Sequence, residues 1–196
     1  RAFARYQREE AWTWEHMALS RARMMSGDAG LVAEAERIIE EVLAARRDRA
    51  KTVKDVLEMR ALIEQEKPAK DIWDLKLIPG GLVDIEFIAQ YLALVAPAKG
   101  HRVGTNELST ADALKALGAL IDPNDLDTCL SALKLYTDLS QVIRLCIDGP
   151  FDPAKVPAGL TDRVARAAES PDMKTAEAEV KRLSKAVRKV FARVVS

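Results

Sequence analysis

"LIPGGLVDIEFIAQYL", Leu77 to Leu92, sets Pro79-Gly80-Gly81 directly ahead of two carboxylates, Asp84 and Glu86, on an otherwise apolar run. Ile85, Ile88, Leu92 and Val95 recur at spacings of three and four, the signature of one helix face, so the stretch after Gly81 reads as an apolar-faced helix ending before Pro97. Just upstream, Trp73, Leu75 and Leu77 alternate with Asp74 and Lys76, which fits a short strand or an extended connection. The expected geometry is therefore a short extended segment that two glycines turn into a helix.

Working outward, the same helical period dominates. Alanine, leucine, arginine, glutamate and lysine are abundant, while aromatics make up 5% and there are only 9 glycines and 8 prolines in 196 residues. Good helix formers with few breakers predict an all-α fold, a bundle of seven or eight helices in a single domain over residues 1–196. One helix is expected from Phe3 to Met25, with Phe3, Tyr6, Trp14 and Met17 on its apolar side, and a second from Leu31 to Arg46 with Leu31, Ala35, Ile38, Ile39, Val42 and Leu43 on one face. A third runs from Ala50 to Glu66, ended by Pro68. Ser109 or Thr110 caps a helix running to about Leu120, and Asp122-Pro123 starts a long one to Ile147. After a short helix near Leu160–Ala168, Ser170 and Pro171 are expected to open the last. There Met173, Ala176, Val180, Leu183, Val187, Val190 and Val194 form a narrow seam, suited to a neighbouring helix of the same domain or to another chain.

Composition excludes several classes of function. Thirty basic and thirty acidic residues balance, so no global charge favours nucleic acid or an anionic membrane. Lys181, Arg182, Lys185, Arg188, Lys189 and Arg193 form a local basic run, read as a solvated helix face. No window has the length and apolarity of a membrane span, and Cys129 and Cys146, about 25 Å apart along one helix, cannot pair within it. A reducing, cytoplasmic compartment is expected. The chain opens on Arg1 inside a helical pattern and reads as a piece of something longer.

Two stretches could carry chemistry. Gly80 and Gly81 free the backbone for a close approach, and the helix start behind them offers amide groups to an anion; glycine turning into a helix is the plainer alternative. Asp84 and Glu86 both suit the positive end of the helix dipole but point about 200° apart, so they do not form a pair for one metal ion. Glu86 shares its face with Gln90. The second stretch, "EAWTWEHMALSRARMMSGD" (Glu10–Asp28), holds Trp12 and Trp14 with Arg21 and Arg23, read as a core aromatic pair with surface arginines. His16 and His101 are the only histidines and neither lies at metal-ligand spacing.

Taken together, "YQREEAWTWEHMALSRARMMSGD", "WDLKLIPGGLVDIEFIAQYL" and "LSQVIRLCIDGPFDP" resemble the bacterial glutamine synthetase adenylyltransferases, in the C-terminal helical portion of their adenylylating half. A related helical domain occurs in the PII-protein uridylyltransferase, which is one alternative, and a non-enzymatic helical interaction module is the other. The resemblance implies a parent enzyme that moves AMP from ATP, with Mg2+, onto a tyrosine of glutamine synthetase and removes it in its other half. It also implies partners in glutamine synthetase, the PII signal protein and an upstream catalytic core. No Gly-Ser turn followed by an Asp-x-Asp pair, the set that holds magnesium in that family, is present: Asp125 and Asp127 have the spacing but lie at a helix start without the glycine-serine turn. No catalytic or metal residue is therefore assigned here, and the piece alone is expected to be inactive and to bind no cofactor. The resemblance places Gly80, Gly81 and Asp84 at the nucleotide cleft, with Lys76 or Arg23 near phosphate and Glu86 beside them; Asp84 is the possible accessory residue.

Overall fold

A computed structural model describes residues 2–99 and 109–196. Among the described residues there are nine α-helices and no strand: α1 (Ala2–Glu9), α2 (Thr13–Leu19), α3 (Ala29–Ala44), α4 (Arg49–Glu66), α5 (Leu82–Val95), α6 (Thr110–Ala116), α7 (Pro123–Cys146), α8 (Ala158–Ala167) and α9 (Met173–Val194). Short 3-10 turns follow α5 and α6. The all-helical class stands. His101 and most of the loop around it lie outside the described residues.

The helices gather into two compact units. The first comprises Arg1–Leu62, Glu86–Pro123 and Val194–Ser196; the second comprises Ile63–Ile85 and Asn124–Arg193. In the first unit Ile38, Ile39, Val42 and Leu43 of α3 are buried as their spacing requires, whereas Leu31 at its first turn is exposed. Val56 of α4, Ile88 and Leu92 of α5 and Leu114 of α6 are buried in the same unit. In the second, the buried positions are Cys129, Ala132, Tyr136 and Leu139 of α7, Leu160 and Val164 of α8, and the seam residues Ala176, Val180, Leu183, Val187 and Val190 of α9.

Local chemistry explains where the elements begin and end. Asp28 caps α3, accepting from the Gly30 and Leu31 amides at 2.9 and 3.1 Å. Ser109 caps α6, accepting from Asp112 N at 3.1 Å. The last helix is capped by Asp172, which accepts from Thr175 N at 2.7 Å, rather than by Ser170. Ser170 instead closes α8: its amide reaches back to Ala165 O at 2.9 Å, with Glu169 in the left-handed region at φ 52°.

Three expectations change. The single helix over Phe3–Met25 is broken between Glu9 and Thr13. The amides of Glu10 and Ala11 both turn to Tyr6 O at 2.9 Å, and the Glu15 carboxylate accepts from Trp12 N at 2.8 Å, which starts α2 afresh. That break raises the helix count above seven or eight. The helix after Ser109 stops at Ala116 and gives way to a 3-10 turn, Gly118–Leu120. The segment before Gly80-Gly81 is not extended. It is wound into successive turns in which Leu77 N and Ile78 N bond Asp74 O at 2.9 and 3.0 Å and Leu82 N bonds Leu75 O at 2.9 Å. The alternation of Trp73, Leu75 and Leu77 mimics a strand, but no neighbouring strand exists among the described residues to take up its amides.

Candidate functional site

In the second unit the Pro-Gly-Gly turn lies beneath α9. Gly80 adopts φ +78°, a conformation glycine takes without strain, and a Cβ at this position would sit 1.9 Å from Ser184 O. A Cβ on Gly81 would meet Leu75 O at 2.5 Å. Both glycines are buried and their amides are engaged: Gly80 N donates to Asp84 Oδ2 at 2.7 Å and Gly81 N donates to Ile78 O at 2.8 Å. The glycines therefore serve close packing of turn against helix.

Asp84 is fully buried. Besides the Gly80 amide it accepts from Arg188 Nη1 of α9 at 3.0 Å, while Arg188 Nη2 lies 2.9 Å from Glu64 Oε1. Arg188 also passes over the Phe191 ring, 5.4 Å from its centroid. One carboxylate thus joins the turn, the start of α5 and the middle of α9. A buried acid with a hydrogen-bonded cationic partner is in the arrangement that makes burial of charge tolerable.

Outside this lock an open cleft of about 770 Å³ is lined by Ile72, Ile78 and Pro79 on one side and Lys185, Arg188 and Lys189 on the other. The basic run on α9 is otherwise largely paired: Lys181 with Glu177, Arg182 with Glu179 at 2.7 Å, and Arg193 with Asp125. Lys185 and Lys189 are exposed, as the solvated-face reading expects. Lys76 is exposed too; its carbonyl accepts from Val83 N at 3.2 Å.

Glu86 and Arg23 belong to the first unit. Glu86 pairs with Arg21 at 3.3 Å and lines a narrow crevice with Gln90, Ser109 and Thr110. Arg23 is exposed in the segment after α2. Asp84 and Glu86, two residues apart, have separate partners, as their angular separation requires.

The second stretch departs from its expected reading. Trp12 and Trp14 are not core residues; they are 70% and 47% exposed. Arg21 does lie at the surface, tied to Glu86. Beside Trp12 the first unit has a cavity of about 770 Å³ lined by Gln7, Thr13, His16, Arg47 and Lys51. His16 Nε2 lies 3.0 Å from Gln7 O, and burial holds its pKa below the ordinary value. Arg47 donates to Val42 O at 2.7 Å and Ala45 O at 2.9 Å, capping α3. Gln7 and Arg47 carry no sequence signal, because a lone glutamine in a polar helix and an arginine in the α3–α4 connection belong to no motif.

Among the described residues no group of three or more histidine, cysteine or carboxylate side chains is arranged to hold a metal ion, and no helix is long and apolar enough to cross a membrane. Asp84 is taken up by Gly80 and Arg188, and Asp125 by Arg193, so the described donor set does not fit a magnesium ion. Cys129 is buried, its thiol pushed up to about 12 by burial and then by Asp125, while Cys146 is exposed.

Two family models match separate stretches of the chain. A family model described as "Glutamate-ammonia ligase adenylyltransferase" matches residues 1–38, and one described as "GlnD PII-uridylyltransferase" matches residues 57–195. Across its whole length the chain is 63% identical to the bifunctional glutamine synthetase adenylyltransferase/adenylyl-removing enzyme of Rhizobium meliloti (strain 1021), of which it covers 20%. Identity to the protein of the same name from Agrobacterium fabrum is 59%, over 99% of this chain and 20% of that protein. For Mesorhizobium japonicum it is 47%, over 97% and 19%. The chain spans about a fifth of the length of the curated relatives it matches.

Proposed function

This chain belongs to the glutamine synthetase adenylyltransferase family, and we propose that it works there as the helical companion of a nucleotidyltransferase core, in the C-terminal, adenylylating half. The observation that carries the reading is the 63% identity over the full chain to a bifunctional enzyme five times its length. In this reading the parent transfers AMP from ATP, with Mg2+, to glutamine synthetase in the cytoplasm, and the metal carboxylates belong to a part of the parent outside this chain. Such transfer proceeds by neutralising and positioning the phosphates. What this chain's residues supply is a rigid wall: Asp84 joins Gly80 to Arg188 and holds α9, so that Lys185 and Lys189 stand in fixed register along the open cleft. Gly80, Gly81 and Asp84 act by positioning, and Lys76, Lys185 and Lys189 are the cations with access to a nucleotide's phosphates.

The experiment is transfer of label from ATP labelled at the α-phosphate to glutamine synthetase by the parent protein, with and without the double substitution Lys185→Ala, Lys189→Ala. Transfer that falls in a double variant of unchanged melting temperature supports the reading. Unchanged transfer removes the cleft from it, and absence of transfer by the unsubstituted parent overturns it. A second reading, the helical domain of an enzyme acting on PII protein, is favoured by the uridylyltransferase model over residues 57–195. It predicts label transfer from UTP to PII instead.

A further inference from the structure

Among the described residues, ten large apolar side chains are exposed, and seven of them fall within residues 1–38. Scattered exposed leucines need no account, whereas a concentration of exposed aromatics and methionines marks an interaction surface. Phe3 and Tyr6 lie one helical turn apart on α1, Trp12 and Trp14 flank the start of α2, and Met25 is 75% exposed in the segment beyond it. The same stretch carries a second defect. Gln7, nine-tenths buried, has its side-chain oxygen without a hydrogen-bond partner among the described residues, in the wall of the cavity beside Trp12. An unpartnered buried acceptor is costly, and a donor arriving from outside would relieve it.

We propose that the α1–α2 face of the first unit is a docking surface for a part of the parent polypeptide outside this chain. This rests on the reading above, that the chain works within a longer transferase. Two observations commit the surface to that occupant. The exposed aromatic stretch coincides with the 1–38 match to the adenylyltransferase model, while the remaining helices match a different model, over 57–195. The chain also accounts for only a fifth of relatives it otherwise matches from end to end, so most of a parent of that length is available to cover the face. The occupant is an apolar segment that brings an N–H or O–H donor to Gln7 Oε1 and an acceptor to the Trp12 indole N–H, the chemistry of an interface core around an aromatic anchor. The α1–α2 face is thus a surface at which this chain meets the rest of the enzyme.

Hydroxyl-radical footprinting of the full-length parent, read residue by residue by mass spectrometry, tests this. Each rate is normalised to the intrinsic reactivity of its side chain, with Leu145, 86% exposed, as the open reference. Trp12 and Met25 are expected to be protected about tenfold or more relative to Leu145, because an interface core excludes water. Protection equal to that of Leu145 overturns the proposal. Protection that vanishes on dilution of the parent also overturns it, since a second copy would then be the occupant. AMP transfer to glutamine synthetase is measured on the same preparation: protection without transfer counts against the proposed function and leaves the docking surface standing, whereas transfer without protection does the reverse.

Discussion

Gly80 and Ser184 lie so close that a side chain on the glycine has nowhere to go: its Cβ would stand 1.9 Å from the Ser184 carbonyl oxygen. Backbone of the turn is pressed against backbone of α9, and neither can be relieved by a rotamer change.

Gly80→Ala is therefore expected to destabilise the protein by at least about 3 kcal/mol, combining overpacking with a positive φ. In a chain of this length that corresponds to a fall of roughly 6–12 °C in melting temperature. Thermal unfolding followed by far-ultraviolet circular dichroism checks it; a variant melting within two degrees of the unsubstituted protein contradicts the packing described.

Asp84→Asn keeps an acceptor for the Gly80 amide but removes the charge facing Arg188. Arg188 is partly exposed and retains Glu64, so the loss is expected at about 1–3 kcal/mol, below that for a wholly buried pair. A double-mutant cycle with Arg188→Gln should show coupling of the two positions. Additive losses would mean that the ion pair contributes nothing.

Glu169 sits in the left-handed region at the end of α8, and its side chain reaches only an exposed partner, Lys134 at 2.8 Å. Glu169→Gly removes the Cβ penalty of that conformation and forfeits little else, so a rise of roughly 1–3 °C in melting temperature is expected. A fall would show that the exposed ion pair outweighs the backbone term.

Tyr136 is buried in α7 with its hydroxyl lacking a hydrogen-bond partner among the described residues. Deleting an unpartnered buried hydroxyl relieves a desolvation cost, so Tyr136→Phe should leave the melting temperature unchanged or higher. A decrease of several degrees would reveal a bond to that oxygen.

His16 has its pKa held down chiefly by burial, below the ordinary 6.5. Between the folded and unfolded values the unfolded chain binds more protons, so stability rises with pH there. The contribution is fully present above about pH 6.5 and is lost as pH falls through the depressed folded value. Melting temperatures over pH 5–7 should show this loss in the native protein and a smaller one in His16→Gln; identical slopes would exclude His16 as the cause.

Much of the fold is legible in the residues because helical periodicity is local. Ile38, Ile39, Val42 and Leu43 on α3, and Ala176, Val180, Leu183, Val187 and Val190 on α9, are buried as their spacing implies, and caps such as Asp28 and Ser109 lie where short polar side chains precede a helix. The same locality misleads at residues 71–77, where alternation resembles a strand although no partner strand exists among the described residues. It misleads again at Trp12 and Trp14, where large apolar size suggests a core position and the two side chains are instead exposed.

The sequence by itself determined the helical class, most of the helix boundaries, a turn at Gly80-Gly81 and the divergent directions of Asp84 and Glu86, because each follows from backbone geometry over a few residues. Tertiary structure alone decided what those groups meet. Asp84 finds Arg188 across 104 positions of chain, and Gly80 finds the backbone of Ser184. Which distant residue arrives at a given side chain is set by helix packing and the closing of long loops, and no short-range pattern encodes it.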